Sequence, residues 1–359
     1  MLKERLQRLG LERRLKAIYE KYERVLIPGF LVVGFIFDII TFQALQIGTA
    51  LKLLMAYAFM AGLMLIFIQL YDARKEPSKY VIMSYARFLA PFAAQISVGA
   101  LLSSSLLFYW FSGSLSVSWP LFALITGVMI SSEVFRQAYL RPAVQLAVYN
   151  FVLLSYFSVF LPFVLRSLSA WIFILSGVLS TLIVLLVLLL LTKFVPKIRQ
   201  QQSQLFVAIL SVFVVMSTFY FLKLIPPLPL SIREAGIYHA IIKRPGDYKL
   251  IGESETLLQK LVPGQTIHAD FGDSLYAYTA IFAPAELSTV IYHRWEYKDS
   301  VAGKWIDKDL LHFTMRGGRQ EGFRGFTSKT GLTPGKWRVT VQNSRGQVLG
   351  RLVFTVVEP

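Results

Sequence analysis

Seven stretches of about twenty consecutive, mostly apolar residues leave this chain little choice of solvent. They lie at about 25–45, 51–71, 88–111, 117–135, 143–165, 171–193 and 205–225. Roughly 20 such residues, rising about 1.5 Å each, cross a hydrocarbon core of roughly 30 Å. A backbone in lipid must satisfy its own N–H and C=O groups, so stretches of this kind fold as helices. The sixth is the plainest: ILSGVLSTLIVLLVLLLLT is nearly all Leu, Val and Ile, flanked by Trp171 and Lys193. Trp110, Trp119 and Tyr220 fall near predicted span ends, as expected of an interfacial aromatic belt. Composition agrees, because only 16% of the residues are charged, against about 25% in soluble domains. The absence of cysteine excludes a disulfide framework, a thiolate metal site and a cysteine nucleophile.

The connections predict an orientation. Counted from the N-terminal segment, with Lys52 and Lys193 at span ends assigned to the adjoining connections, they carry 8, 1, 4, 0, 2, 1 and 3 Lys+Arg, so rich and poor alternate without a break. The positive-inside rule then puts the N-terminus in the cytoplasm, and seven spans put the C-terminal part on the opposite side. The net charge of +16 is therefore read as topology, not as a nucleic-acid footprint. Residues 1–24 lack the apolar core of a secretory signal. They predict a basic amphipathic helix, with Leu2, Leu6, Leu9, Leu11, Leu15, Ile18 and Tyr22 apolar against Arg5, Arg8, Arg13, Arg14 and Lys16. It packs on the cytoplasmic ends of the bundle or lies among anionic headgroups.

Beyond residue 225 the pattern changes. IPPLPLS makes 226–232 a stiff proline-rich linker, and short alternating segments divided by turn signals follow. In GKWRVTVQNS, Trp337, Val339 and Val341 share one face, while Arg338, Thr340 and Gln342 share the other. The turn Asn343-Ser344-Arg345-Gly346 leads into VLGRLVFTVV, which makes this the clearest hairpin in the chain. With TIHADF, LYAYTAIFA, STVIYHRWEYK, KWIDKDLLHFTMR and GFRGFTS, about seven strands are predicted. The expected fold is thus a membrane all-α bundle of about seven helices, followed at 233–359 by a small all-β, immunoglobulin-like sandwich.

Several short pieces stand in order within the tail: His293-x-Trp295, Gly322-x-Arg324, Ser328-Lys329, Gly335-Lys336-Trp337-Arg338-Val339 and Gly346-Gln347-Val348-Leu349-Gly350. In this order and spacing the tail resembles an uncharacterised C-terminal domain of some bacterial polytopic inner-membrane proteins. The resemblance implies a bacterial envelope protein with the sandwich in the periplasm. It brings no activity and no catalytic residues.

Residues able to carry chemistry are few. Asp38, deep in the first span, and Glu133, near the end of the fourth, are intramembrane carboxylates, with Arg87 and Arg136 as boundary partners. Residues 1–238 contain no histidine, which removes haem and histidine-metal sites from the membrane half. In the tail, His268, Asp270 and Asp273 form the nearest approach to a metal cluster, though strand-end residues of these types commonly bond to turns. His293 and Trp295 share a strand face and are candidate ligand contacts. MRGGRQEGFRGF places Arg316, Arg319 and Arg324 among four glycines, a plausible anion-binding loop or a solvated hairpin. No motif asks for a cofactor. The leading expectation is a non-enzymatic binding or scaffold protein whose sandwich meets an envelope protein, a glycan or an anionic lipid. The alternative is a transporter or lipid-handling protein working through Asp38 and Glu133.

Overall fold

The computed structural model describes residues 47–74, 80–134, 141–244, 247–253, 264–284, 287–318 and 321–359. It is a helical region followed by a β region of several sheets. Of the seven apolar stretches, the one at about 25–45 lies outside the described residues, as do residues 1–24.

The helices are α1 (Ile47–Asp72), α2 (Val81–Ser112), α3 (Leu115–Val134), α4 (Pro142–Leu165), α5 (Ala170–Phe194), α6 (Pro196–Gln200) and α7 (Gln202–Phe221). Among the described residues, α1, α2, α4, α5 and α7 are long and apolar enough to cross a membrane; the apolar run of α3 is shorter, at Leu115–Ile130. Sequence accounts for their ends. Helix α5 stops before Pro196, whose ring disfavours helix at the residue before it, and that same proline opens α6 at a position where no N–H is needed. Helix α7 ends at Phe221 and not at the predicted 225, because Leu222 and Lys223 form a turn before the prolines, with Lys223 in the left-handed region at φ 60°.

Among the described residues, one compact unit holds those up to Phe108 with Leu121–Leu161 and Ser169–Phe219. Its helices approach through small residues. On α5, Ser176, Gly177, Ser180 and Thr181 are buried, and a Cβ at Gly177 would lie 2.3 Å from the Phe213 ring on α7. Serines 105, 158 and 176 return their hydroxyls to the carbonyl four residues earlier, the satisfaction a low-dielectric solvent demands. Large apolar side chains face outward instead, among them Phe59 at 72% exposure and Leu186 and Leu189 at 65%.

The other unit comprises Tyr109–Pro120, Pro162–Leu168 and Tyr220–Pro359. Its strands are β1 (Ser231–Tyr238), β2 (Ala240–Arg244), β3 (Asp247–Ile251), β4 (Gln265–His268), β5 (Leu275–Phe282), β6 (Ser288–Lys298), β7 (Trp305–Arg316), β8 (Phe323–Lys329), β9 (Gly335–Asn343) and β10 (Val348–Val357). They form a sheet of order β1-β5-β8, a sheet of order β4-β10-β9-β6-β7 and the hairpin β2-β3. One core cluster draws Ile237, Leu275 and Ala277 from the first sheet and Trp295, Trp337, Val339 and Phe354 from the second. Another joins Ile281 to Ile291, Met315 and Val341. The β9–β10 turn closes on Gly346, at φ 73°, where glycine adopts a left-handed conformation without steric cost. Asn343 Oδ1 accepts the N–H groups of Arg345 and Gln347 at 3.0 Å each.

Candidate functional site

Strand β6 carries the polar residues that organise the β region, and its alternation divides them between two environments. Ile291, His293 and Trp295 face the core, and both His293 and Trp295 are fully buried. Trp295 Nε1–H donates to Thr327 Oγ1 at 3.2 Å. The Thr279 hydroxyl proton goes to the Gly325 carbonyl at 3.5 Å, so its oxygen accepts from His293 Nε2, and His293 Nδ1 then accepts from the Thr327 hydroxyl at 2.9 Å. The imidazole proton thus sits on Nε2, 3.2 Å from Thr279 Oγ1. The chain of donors runs from β6 to β5 and β8, so it ties the five-stranded sheet to the three-stranded one. Burial pushes the His293 pKa down to about 4, keeping the ring neutral. The structure thus places the two predicted ligand contacts inside the core, out of a ligand's reach.

The opposite face of β6 is different. Arg294 and Glu296 point away from the core, with Thr340 and Arg338 directly opposite them on β9. Glu296 accepts from Arg338 Nε at 2.8 Å and Nη2 at 2.5 Å, and from Thr340 Oγ1 at 2.6 Å. Both side chains of the ion pair are buried, at 7% and 14% exposure. The Arg338 guanidinium also lies 4.2 Å from the Trp305 ring centroid, a cation–π contact. Burial raises the Glu296 carboxyl pKa. The hydrogen bonds from Arg338 and Thr340, with the charges of Arg338 and Arg294, outweigh that effect and hold it below the usual range. Across β6, β9 and β10, Arg294, Thr340 and Arg351 form one row. Asp307 on β7 lies 3.9 Å from Arg294, so three arginines, Arg294, Arg338 and Arg351, stand here with two carboxylates, Glu296 and Asp307. This face was legible in the phase of the two strands, but sequence reasoning singled out the opposite one.

Two backbone donors of the glycine-arginine loop are used within the protein. Gly317 N–H donates to the Leu287 carbonyl at 2.8 Å and Gly318 N–H to the Ala283 carbonyl at 3.1 Å. A Cβ at Gly317 would lie 2.0 Å from the Pro284 carbonyl oxygen, so this glycine serves a close backbone approach. Arg324 pairs with Glu321 at 2.8 Å, Arg316 is exposed at the end of β7, and Arg319 lies outside the described residues.

The predicted His268, Asp270 and Asp273 are also dispersed. Asp273 Oδ2 accepts the Asp270 N–H at 2.9 Å, closing a turn. His268 turns to Glu253, whose Oε1 accepts the His268 N–H at 2.9 Å and lies 3.3 Å from its Nδ1 and 3.1 Å from His239 Nε2. The backbone bond from His268 and the side-chain bond from His239 are the leading causes that lower the Glu253 pKa. Among the described residues, no group of three or more His, Asp or Glu is placed to hold a metal ion.

In the helical region, Arg87 makes a two-pronged ion pair with Asp72 at 2.8 and 2.7 Å, joining the end of α1 to the start of α2. Asp38 and Arg136 lie outside the described residues, and so does the side chain of Glu133, whose backbone falls in the last turn of α3. Asn150 is buried and donates to the Ile209 carbonyl at 2.9 Å.

Comparison with known proteins gives one family. Residues 288–356 match the family described as "Protein of unknown function (DUF2914)". The chain thus carries a DUF2914 region at its C-terminus, after five long apolar helices. Both faces of β6 fall inside the matched segment. None of the curated proteins matches the chain. Among solved structures, the Pseudomonas fluorescens alkylpurine DNA glycosylase AlkC bound to DNA containing an abasic site analog is 13% identical, with 85% of this chain and 97% of that one covered. Its TM-score of 0.20 is far below that of a shared fold, so the likeness says nothing about this chain.

Proposed function

We propose that this is a non-enzymatic binding or scaffold protein of the bacterial inner membrane, whose helices hold an immunoglobulin-like sandwich, residues 233–359, on the periplasmic side. The observation that carries this reading is the division of labour on β6. His293 is spent inside the core, while Arg294, Arg338 and Arg351 share the other face of the same sheet.

Strand order supports the immunoglobulin comparison. The support is an antiparallel run β10, β9, β6 and β7 that shares a core with an antiparallel β1-β5-β8 sheet. A fully buried tryptophan, Trp295 on β6, also supports it, since such domains typically bury one in their core. The hydroxyl–imidazole chain from β6 to Thr279 and Thr327 joins the two sheets, as a disulfide does in antibody domains. The alternating Lys+Arg counts support the orientation. The outward partner is an envelope protein, a glycan or a lipid headgroup.

Cysteine accessibility tests the reading, since the chain has no thiol of its own. Ser344, exposed in the β9–β10 turn, is replaced by cysteine and intact cells are treated with a membrane-impermeant maleimide. Labelling of Ser344→Cys, with none at a control Ser203→Cys, is expected. Labelling of Ser344→Cys only after lysis would place the β region in the cytoplasm and overturn the proposal.

A further inference from the structure

Among the described residues, Arg351 on β10 makes no direct ion pair, whereas Arg338 on the same sheet face contacts Glu296 and Arg294 lies 3.9 Å from Asp307. The Glu296 carboxylate is engaged by Arg338 and Thr340. Arg351 instead donates from Nη1 to Ser116 Oγ at 3.0 Å, while its Nε is buried with no partner. A guanidinium that has lost part of its hydration and gained no direct carboxylate contact is suited to receive an anion. Burial, followed by the neighbouring charge of Arg338, lowers the Arg351 pKa, and the more distant Glu296 carboxylate offsets only part of that.

The location of Ser116 narrows the class of anion. It lies in the first turn of α3, four residues beyond the end of α2, a candidate span of 32 residues. Ser114 Oγ sits 2.8 Å from Ser116 Oγ, adding a second hydroxyl. Trp110 and Trp119 flank this turn at 52% and 61% exposure, as indoles do at headgroup depth. The same unit carries Arg345, hydrogen-bonded to Tyr220 at the end of α7, and exposed Lys223 just beyond it. The anions concentrated at that depth are lipid phosphates, and an arginine fork matches a phosphate better than a point charge does.

We propose that Arg351, with Ser116 and Ser114, binds the phosphate of an anionic phospholipid headgroup. This rests on the binding-module reading above and names its ligand.

The test uses the full chain in mild detergent, with bound lipid counted by native mass spectrometry during titration with phosphatidylglycerol. Wild type retains phosphatidylglycerol in preference to phosphatidylcholine. Arg351→Gln weakens retention about tenfold, the loss of roughly one charge-assisted hydrogen bond. Ser116→Ala and Arg351→Lys each weaken it by a smaller factor, and they decide the matter if Arg351→Gln does not fold. Lys304→Gln, in an exposed turn, changes nothing. Three results overturn the proposal: retention unchanged in the foldable Arg351 and Ser116 variants, equal retention of the two lipids, or displacement by millimolar inorganic phosphate, which would make the site one for a soluble anion. Maleimide labelling of Ser344→Cys does not depend on Arg351, so either proposal can fail alone.

Discussion

The helical and β regions solve the burial of polar groups in opposite ways. In the helices, buried serine hydroxyls are mostly returned to the preceding turn of the same helix, and only a few hydroxyls, such as those of Tyr149 and Tyr156, reach a carbonyl of another helix. Close contacts are made by small residues such as Gly177 against Phe213. In the β region, buried polar groups are joined between strands far apart in sequence: His293 with Thr279 and Thr327, and Glu296 with Arg338 and Thr340. The difference follows from the solvent. Lipid solvates apolar side chains on the outside of a helix, so association there rests on close packing and few hydrogen bonds. Water drives sheets together over a shared core, and directed polar bonds then fix their register. If this contrast is sound, removing a polar group should cost much in the β region and little in the helices. Hydrogen exchange on the full chain resolves the two regions peptide by peptide.

The largest effect is expected from Glu296→Ala. It strips Arg338 of its partner on a face where both groups are buried, at a cost of about 3–5 kcal/mol. Exchange should accelerate across β6, β9 and β10 and leave α4 and α5 unchanged. Equal acceleration in both regions would erase the contrast.

The next is a pH dependence. The folded pKa of His293 is about 4, below the ordinary value of about 6.5. The unfolded chain therefore binds the extra proton first. The stability tied to a neutral His293 is complete above pH 6.5 and is lost as pH falls toward 4, by about 3 kcal/mol over that window. Glu296, whose carboxyl is held below the usual range, adds its own loss only below about pH 4.5. Denaturant midpoints measured between pH 7 and 4 should fall in wild type and lose this component of the slope in His293→Gln. A slope unchanged by the substitution would show that the imidazole is not held neutral.

Local pattern and long-range contact divide what was legible in the chain. Helix α5 was plain from composition, and the β9–β10 hairpin from the phase of Trp337, Val339 and Val341, all of them core. Those signals lie within single elements. Alternation also placed His293 and Trp295 together, but not on the inner face, because inside and outside are set by the sheet that packs over them. The donors of Gly317 and Gly318 looked available for an anion until Ala283 and Leu287, more than 25 residues earlier, supplied carbonyls. Arg351 was hidden for the same reason, since Ser116 lies 235 residues away in sequence.

In the helical region, Gly177→Val sharpens the comparison. Its new side chain meets the Phe213 ring, where even a Cβ would sit 2.3 Å away. Overpacking of this kind costs about 1–3 kcal/mol. Faster exchange should be confined to α5 and α7, with the β region unaffected.

The smallest effect is the most diagnostic. Asn150 donates to the Ile209 carbonyl at 2.9 Å and to Thr181 Oγ1 at 3.4 Å, while its Oδ1 is buried without a partner. Asn150→Leu gives up those bonds but also removes an orphaned acceptor, and the two changes oppose each other. Interhelical hydrogen bonds in membranes average about 0.6 kcal/mol, so the net change should not exceed about that amount. Thermal unfolding in detergent should then show a near-unchanged midpoint. A loss of about 2 kcal/mol or more would mean that a polar group in the helices is as indispensable as one in the sheets. Asn150 would then have to be treated as part of a working polar site, and the assignment of the helices to anchoring alone would fail.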